Sequence, residues 1–179
     1  RVPSIEENDW ALHNKMNVRV SIPGKDVGIN WKWHFHTHFY LIPPDEYYEE
    51  HPEWFAMNRN GKRPMPEYRK RRGEKVFEQG QQLCLSNKEL AEETAKNIIE
   101  LFDKQPEIDI IALAPQDGGG FCKCPECEKL KEDRPKNQAW HARYSKILAV
   151  FNNRVAKIVG EKYPDKLIKV GAYAMYLRV

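Results

Sequence analysis

The sequence predicts a parallel α/β fold, either as part of a (β/α)8 barrel or as a doubly wound sheet. A continuous run of β-branched and other apolar residues over 108–114 is typical of a strand buried on both faces. Helices are predicted on either side of it, over 86–104 and 139–163. Another strand is predicted over 167–173. Strands that alternate with helices in this way indicate a parallel sheet.

The N-terminal part predicts the end of a helix over Trp10–Met16, a short strand over Val18–Ile22 and a longer strand over Gly28–Phe39. Alternation in the longer strand places three histidines on one face and three aromatic residues on the other. The histidines are His34, His36 and His38, and the aromatic residues are Trp33, Phe35 and Phe39. Same-face side chains are about 6.5 to 7 Å apart, so a single metal can hardly reach all three histidines. We expect one or two of them to contact a ligand, with His36 as the first choice.

The middle of the chain predicts short elements separated by turns. A short helix is expected over Pro43–Tyr48, with proline at its start, and a turn over Asn58–Gly61. Residues 64–80 are expected to form a long charged loop, and Gln82–Leu85 a short strand.

Two longer helices follow at the spacing of amphipathic segments. The first begins with a predicted capping box, in which Ser86 is the N-cap and Glu89 is at N3, and it runs to about Lys104. The second ends before Pro164. Its inner face is expected to carry Ile147, Leu148, Phe151, Val155, Ile158 and Val159.

Composition and charge exclude several functional classes. The chain has 179 residues and a net charge of +3, and its only dense basic run, Arg69–Arg72, is interpreted as a solvated loop, so we expect no nucleic-acid partner. No apolar run approaches the roughly 18 residues of a membrane span. No dinucleotide-binding or Walker motif is present, which disfavours a nucleotide site. The chain begins at Arg1 without a signal peptide, and we expect it to be a piece of a longer protein.

The loop after the 108–114 strand contains the candidate catalytic residue. Asp117 is followed by three glycines, which allow a ligand or a neighbouring backbone to approach closely. In parallel α/β folds, chemistry gathers on the loops at the carboxyl ends of strands. Asp117 is therefore either a catalytic or substrate-orienting carboxylate, or an aspartate that makes turn hydrogen bonds.

Three of the four cysteines follow in the same loop, at Cys122, Cys124 and Cys127. Cys84, at the end of the preceding predicted strand, is placed to complete a tetrahedral four-thiolate zinc site. The alternatives are one or two disulfides, or reduced thiols. A complete four-thiolate site leaves no position for water, so zinc here would hold the loop and take no part in hydrolysis.

Motifs along most of the chain carry a resemblance to a known family. They are His36-Thr37, Pro43-Pro44-x-x-Tyr47, His51-Pro52-Glu53-Trp54-Phe55, Asn60-Gly61-Lys62-Arg63, Leu83-Cys84-Leu85-Ser86-Asn87, the run from Gln116 to Cys127, Tyr163-Pro164-Asp165 and Ala172-Tyr173. The pattern resembles a bacterial domain of secreted glycoside hydrolases whose characterised members are endo-β-N-acetylglucosaminidases. The resemblance implies a (β/α)8 barrel related to the α-glucuronidase and β-hexosaminidase barrels, of which 1–179 would supply one partial domain, about strands two to six. It also implies a secreted, periplasmic or cell-surface location.

The resemblance further implies a substrate-assisted mechanism, in which the substrate's N-acetyl group attacks C1. It assigns the catalytic roles to Asp117 and Gln116, although the family usually has Asn at position 116. The residues assigned to substrate binding are His36, His38, Tyr173, Trp33 and Asn87. His38 stands where an aromatic residue is common. The second catalytic carboxylate is not identified, since Glu126 lies among the cysteines.

Two rival functions are kept open. The first is an exo-acting glycosidase of the α-glucuronidase type, which needs a basic residue such as Arg143 to hold a substrate carboxylate. The second is a carbohydrate-binding or interaction module with a metal-stapled loop and no catalysis. A second carboxylate facing Asp117 across an open cleft would favour an enzyme over a binding module.

Overall fold

A computed structural model of the protein describes residues 20–22, 25–27, 29–71, 74–131 and 143–172. The strands are β1 (Val20–Ile22), β2 (Lys25–Val27), β3 (Trp31–Lys32), β4 (Tyr68–Arg71), β5 (Glu74–Phe77), β6 (Ile110–Ala112) and β7 (Leu167–Lys169). The helices are α1 (His38–Leu41), α2 (Pro44–Tyr47), α3 (Lys88–Lys104), α4 (Pro125–Leu130) and α5 (Ser145–Lys162), with a 3-10 helix at Pro52–Trp54. The predicted helix over Trp10–Met16 lies outside the described residues.

A small parallel sheet forms the centre of the fold, with strand order β3-β6-β7. Trp31 pairs with Ile110, and Ile110 pairs with Leu167, with all three strands running in the same direction. All three residues of β6 are buried, as the apolar run predicted. The prediction of a parallel α/β fold is therefore confirmed at this level. The described residues form no closed barrel.

The two long helices pack against each other, and their buried residues share one hydrophobic core with Ile111 of β6. Their buried faces include Ile98 and Phe102 of α3 and Phe151 and Val155 of α5, all at most 1% exposed. The far ends of the two helices are joined by Lys162, whose Nζ lies 2.8 Å from both carboxylate oxygens of Asp103. Both helices end where the sequence predicted.

The predicted strand over Gly28–Phe39 is wrong beyond Lys32. Trp33 and His36 have φ angles of 60° and 57°, which turn the chain out of the extended conformation. The chain is then tied to the end of β6, because Thr37 and His38 donate their backbone N–H groups to the Ala114 carbonyl oxygen at 3.0 and 3.2 Å. The alternation of the three histidines is therefore broken, and they do not share one face.

The charged segment 64–80 contains an antiparallel hairpin of β4 and β5, where a loop was predicted. Cross-strand packing explains the difference, because the Tyr68 and Phe77 rings lie 4.4 Å apart and Phe77 also contacts the buried Phe39. The predicted strand Gln82–Leu85 is reduced to an isolated bridge between Leu83 and Phe55.

The first long helix begins one residue later than the predicted capping box. Asn87 is the N-cap, and its side-chain oxygen accepts the Leu90 N–H at 3.0 Å. The assignment of Ser86 as N-cap is wrong, because its hydroxyl lies among the cysteine sulfurs, 3.1 Å from Cys127 Sγ. The expected turn over Asn58–Gly61 is confirmed by the 3.2 Å hydrogen bond from Gly61 N to the Asn58 carbonyl oxygen.

Candidate functional site

A cleft of about 250 Å³ lies beside the loop that follows β6. Asp117 lines it together with Glu78 and Arg69 from the β4–β5 hairpin segment. Its other polar and aromatic lining residues are His36, Tyr40, Phe77, Gln79 and Gln116. Two carboxylates thus line the cleft, and the sequence had identified only one of them.

Asp117 is an exposed carboxylate held by neighbouring groups. Its Oδ2 accepts a 2.5 Å hydrogen bond from Gln79 Nε2, and its Oδ1 accepts the Gly118 N–H at 2.9 Å. Its backbone carbonyl accepts the Gly80 N–H at 2.8 Å. Asp117 therefore makes a turn hydrogen bond, which was one of the two roles expected from the sequence. It also lines an open cleft.

The glycines after Asp117 serve a close approach of two backbones. Gly118 and Gly120 have φ angles of 82° and 73°. A Cβ atom at Gly120 would lie 1.7 Å from the Gly80 carbonyl oxygen, whereas one at Gly119 would meet nothing within 4 Å. Of the two explanations offered by the sequence, the neighbouring backbone is the one the structure shows for Gly118 and Gly120.

Gln116 is buried and bonded to backbone groups. With its amide in the orientation that satisfies both partners, it donates to the His36 carbonyl oxygen at 3.2 Å and accepts the Phe39 N–H at 2.9 Å. Its own backbone is bonded by the Gln82 side chain. Gln116 therefore positions the chain that carries His36, and its amide is occupied by that task.

His36 lines the cleft, as expected for a substrate contact. Its Nδ1 lies 3.1 Å from the Pro115 carbonyl oxygen, and since a carbonyl can only accept, Nδ1 carries the hydrogen. This fixes the ring and leaves Nε2 available to a ligand.

His38 is not a substrate contact, which corrects the prediction. Its side chain is 1% exposed, and the ring packs edge-on against Phe151 with centroids 5.6 Å apart. Neither ring nitrogen has a hydrogen-bond partner. Burial lowers the pKa of His38 to about 3, so the imidazole stays neutral in the core.

The other predicted sugar contacts do not gather at this cleft. Trp33 stacks on Tyr40 with centroids 5.4 Å apart and lines a second cleft, so only Tyr40 borders both. Asn87 uses its side-chain oxygen as the helix cap. Tyr173 lies outside the described residues. Arg143 does not line the cleft, whereas Arg69 does.

Sequence reasoning missed Glu78, Arg69 and Tyr40. The first two lie in the segment that was interpreted as a loop. The local signal was slight, because only Tyr68, Val76 and Phe77 in the two runs on either side of Gly73 are typical strand-forming residues.

The four cysteines form a second, buried cluster. Cys84 Sγ lies 3.6 Å from the sulfur of Cys122, 3.6 Å from that of Cys124 and 3.8 Å from that of Cys127. All four sulfurs lie within 4.8 Å of one another. These distances exceed the roughly 2.05 Å of a disulfide bond, so the thiols are free. The arrangement is compatible with a structural metal, as predicted.

Backbone N–H groups directed at the sulfurs favour negative charge on them. Backbone N–H groups of Met57 and Cys127 point to Cys122 Sγ and Cys124 Sγ at 3.2 and 3.4 Å. Hydrogen bonds from the Cys122 and Cys127 thiols lower the pKa of Cys84. The bonds to Cys122 and Cys84 raise the pKa of Cys127. The hydrogen bonds within the cluster therefore shift the pKa values of Cys84 and Cys127 in opposite directions.

The sequence matches the family described as "Domain of unknown function (DUF4838)" over residues 4–178. The chain belongs to this family. Comparison with curated proteins and with solved structures gives no match. The DUF4838 match includes both the cleft beside Asp117 and the cysteine cluster. In the described part of this DUF4838 chain, no helix combines the length and apolar character needed to cross a membrane.

Proposed function

We propose that this DUF4838 chain belongs to a secreted glycoside hydrolase that cleaves β-linked N-acetylhexosamine in glycans, as an endo-β-N-acetylglucosaminidase does. The observation that supports the proposal is that Asp117 and Glu78 line one open cleft on the loop side of β6. Glycosidases use two carboxylates on either side of the scissile bond. The proposal includes the closure of β3, β6 and β7, with further strands, into a (β/α)8 barrel.

The two carboxylates take separate roles in the proposed reaction. Asp117, fixed by hydrogen bonds at both oxygens, accepts the N–H of the substrate acetamido group and orients its oxygen toward C1. Glu78 gives its proton to the glycosidic oxygen as the bond from C1 to that oxygen breaks and the acetamido oxygen bonds to C1. Water then attacks C1 and gives a proton to Glu78, while the bond between C1 and the acetamido oxygen breaks and the acetamido group is restored. His36 Nε2 contacts a sugar hydroxyl.

The test is cleavage of an N-glycosylated peptide by the full-length protein and its variants. Asp117→Asn and Glu78→Gln should each lower kcat/KM at least about 100-fold, the usual contribution of acid–base groups. Glu126→Gln is the matched control, because Glu126 is exposed and paired with Lys129 on α4. Wild-type cleavage that both cleft variants retain within twofold would overturn the proposal. Glycan binding without cleavage by the wild type would favour the binding module.

Arg69 supports a second candidate, an exo-glycosidase of the α-glucuronidase type. Its Nε lies 3.7 Å from Glu78 Oε2, and a guanidinium in the cleft is a suitable partner for a uronic acid carboxylate. Hydrolysis of a terminal glucuronide, lost in Arg69→Gln, would support this candidate over the first.

We also propose that the cysteine cluster holds a zinc ion as a structural centre. Zinc binds thiolate sulfur at about 2.3 Å, so the edges of its tetrahedron are about 3.8 Å, close to the observed sulfur separations. Elemental analysis of protein purified without chelators should give one zinc per chain, and Cys127→Ser should lose it. Metal-free wild-type protein with intact thiols would overturn the assignment.

A further inference from the structure

Four thiolates around Zn²⁺ leave two net negative charges in the protein interior. The four cysteines are only 3–6% exposed, so water can compensate little of this charge. Uncompensated buried charge is costly, and buried metal sites depend on groups around the ligands for this reason. The structure must therefore supply compensating charge from nearby side chains or N–H groups.

Among the residues that the structure describes, Arg63 brings its guanidinium into contact with the cluster. Its Nη1 lies 3.8 Å from Cys122 Sγ. The same nitrogen donates to the carbonyl oxygen of Phe55, a fully buried residue. The Arg63 carbonyl oxygen accepts the Tyr48 hydroxyl at 2.6 Å. Hydrogen bonds of the guanidinium and of the Arg63 backbone therefore both fix the position of this side chain beside the sulfurs.

Other nearby cations are engaged elsewhere. Lys123, beside Cys122 in the chain, places its Nζ 3.2 Å from both Glu128 Oε1 and the Tyr144 hydroxyl. Arg154 of α5 reaches the cluster only indirectly, because its Nη1 donates to the Ser86 carbonyl oxygen at 3.1 Å. Ser86 in turn touches Cys127 Sγ through its hydroxyl.

We propose that Arg63 is the counter-ion of the zinc centre and controls how fast the site loses its metal. The inference rests on the proposed zinc site. The guanidinium lies 3.8 Å from Cys122 Sγ and offsets part of the negative charge of the zinc–thiolate centre, which stabilises the loaded site against loss of zinc. Arg63 belongs to the Asn60–Arg63 motif, which the proposed catalytic site does not use.

The same contact joins the metal loop to the preceding segment of the chain. Met57 donates its N–H to Cys122 Sγ, and its carbonyl oxygen accepts the Lys123 N–H at 2.8 Å. Arg63 adds a charged contact from the other side of the turn that begins at Asn58. Contacts from Met57 and Arg63 therefore connect the segment 55–63 to the cysteine loop at the proposed metal site.

The experiment measures zinc transfer from the zinc-loaded full-length protein to a chromogenic chelator. Arg63→Gln should release zinc about 10 to 100 times faster than wild type, the usual effect of removing a group that supports metal ligands. Arg63→Lys keeps the charge and should stay within a few-fold of wild type. Arg59→Gln, at an exposed arginine of the same segment, is the matched control and should not change the rate.

Two further readouts separate the possible failures. Thiolate-to-cobalt absorption of the Co²⁺-substituted variants reports whether the four-sulfur site is still assembled, so slow folding of Arg63→Gln is not mistaken for an effect on release. A wild-type rate in Arg63→Gln, or equally fast release from Arg63→Lys and Arg63→Gln, would overturn the role of Arg63. Absence of zinc from the wild type would overturn the zinc assignment. The zinc content per chain tests that assignment independently of the release rates.

Discussion

Gly120 lies against the carbonyl oxygen of Gly80, so closely that a Cβ atom at position 120 would be 1.7 Å from that oxygen. This contact fixes the loop that carries Asp117 to the end of the β4–β5 hairpin segment, which carries Glu78. The proposed pair of catalytic carboxylates therefore depends on two glycine backbones that approach without side chains.

Gly120→Ala should destabilise the protein by about 2 to 4 kcal/mol, because the new methyl group meets a backbone oxygen and position 120 has a φ of 73°. The free energy of unfolding from urea titration measures the effect. Gly119→Ala is the matched control, since a Cβ there meets nothing within 4 Å, and its change should stay within about 0.5 kcal/mol. Equal stability of the two variants would contradict the close approach.

His38 should make the protein less stable at acid pH. The pKa is about 3 in the folded state and about 6.5 when unfolded, so between these values the unfolded chain binds a proton that the folded chain excludes. Above pH 6.5 the buried histidine imposes no penalty. As the pH falls from 6.5 toward 3, the free energy of unfolding decreases by about 1.4 kcal/mol per pH unit because of this residue. Urea titrations of wild type and His38→Leu over pH 3–7 measure the difference.

His38→Leu should remove this part of the pH dependence without lowering stability at pH 7, because both ring nitrogens are buried without partners. His34→Gln, at an exposed histidine, is the control and should keep the wild-type slope. An unchanged slope in His38→Leu would mean that another group causes the acid sensitivity.

Asn87→Ala should cost about 1 kcal/mol, the usual value of an N-cap side chain, because α3 loses the acceptor for the Leu90 N–H. The free energy of unfolding again measures it. Lys88→Ala, at the exposed first residue of α3, should change stability by less than about 0.5 kcal/mol. A neutral Asn87→Ala would argue against the observed cap.

Removal of the proposed zinc should lower Tm by more than about 5 °C, since a shift of 2 to 4 °C corresponds to about 1 kcal/mol in a chain of this size. Differential scanning fluorimetry before and after chelation measures the change. Hydrogen exchange should show lost protection around Lys123, whose N–H bonds to Met57 beside the cluster. Retention of Tm after complete zinc removal would show that the cluster folds without metal.

The sequence predicted the cysteine cluster more completely than the cleft beside Asp117. Three cysteines lie within six residues, so their proximity follows from covalent spacing. Cys84 was expected beside them at the edge of a parallel sheet, whereas the structure places it next to an isolated bridge between Leu83 and Phe55. Glu78 could not be paired with Asp117 in this way. The hairpin that carries it folds back through contacts such as Phe77 with Phe39, which are distant in sequence.

The sequence by itself determined the elements whose signals are local. The periodic apolar faces of α3 and α5, the buried run of β6, the prolines at helix starts and the turn at Asn58 all depend on residues within one element. Only the tertiary structure decided how Gly28–Phe39 folds and where its histidines lie. There, hydrogen bonds from Thr37 and His38 to Ala114, 77 and 76 residues away, outweigh the local alternation that favoured a strand. Backbone N–H groups must be satisfied where the chain is buried, and partners so far apart in sequence leave no local pattern.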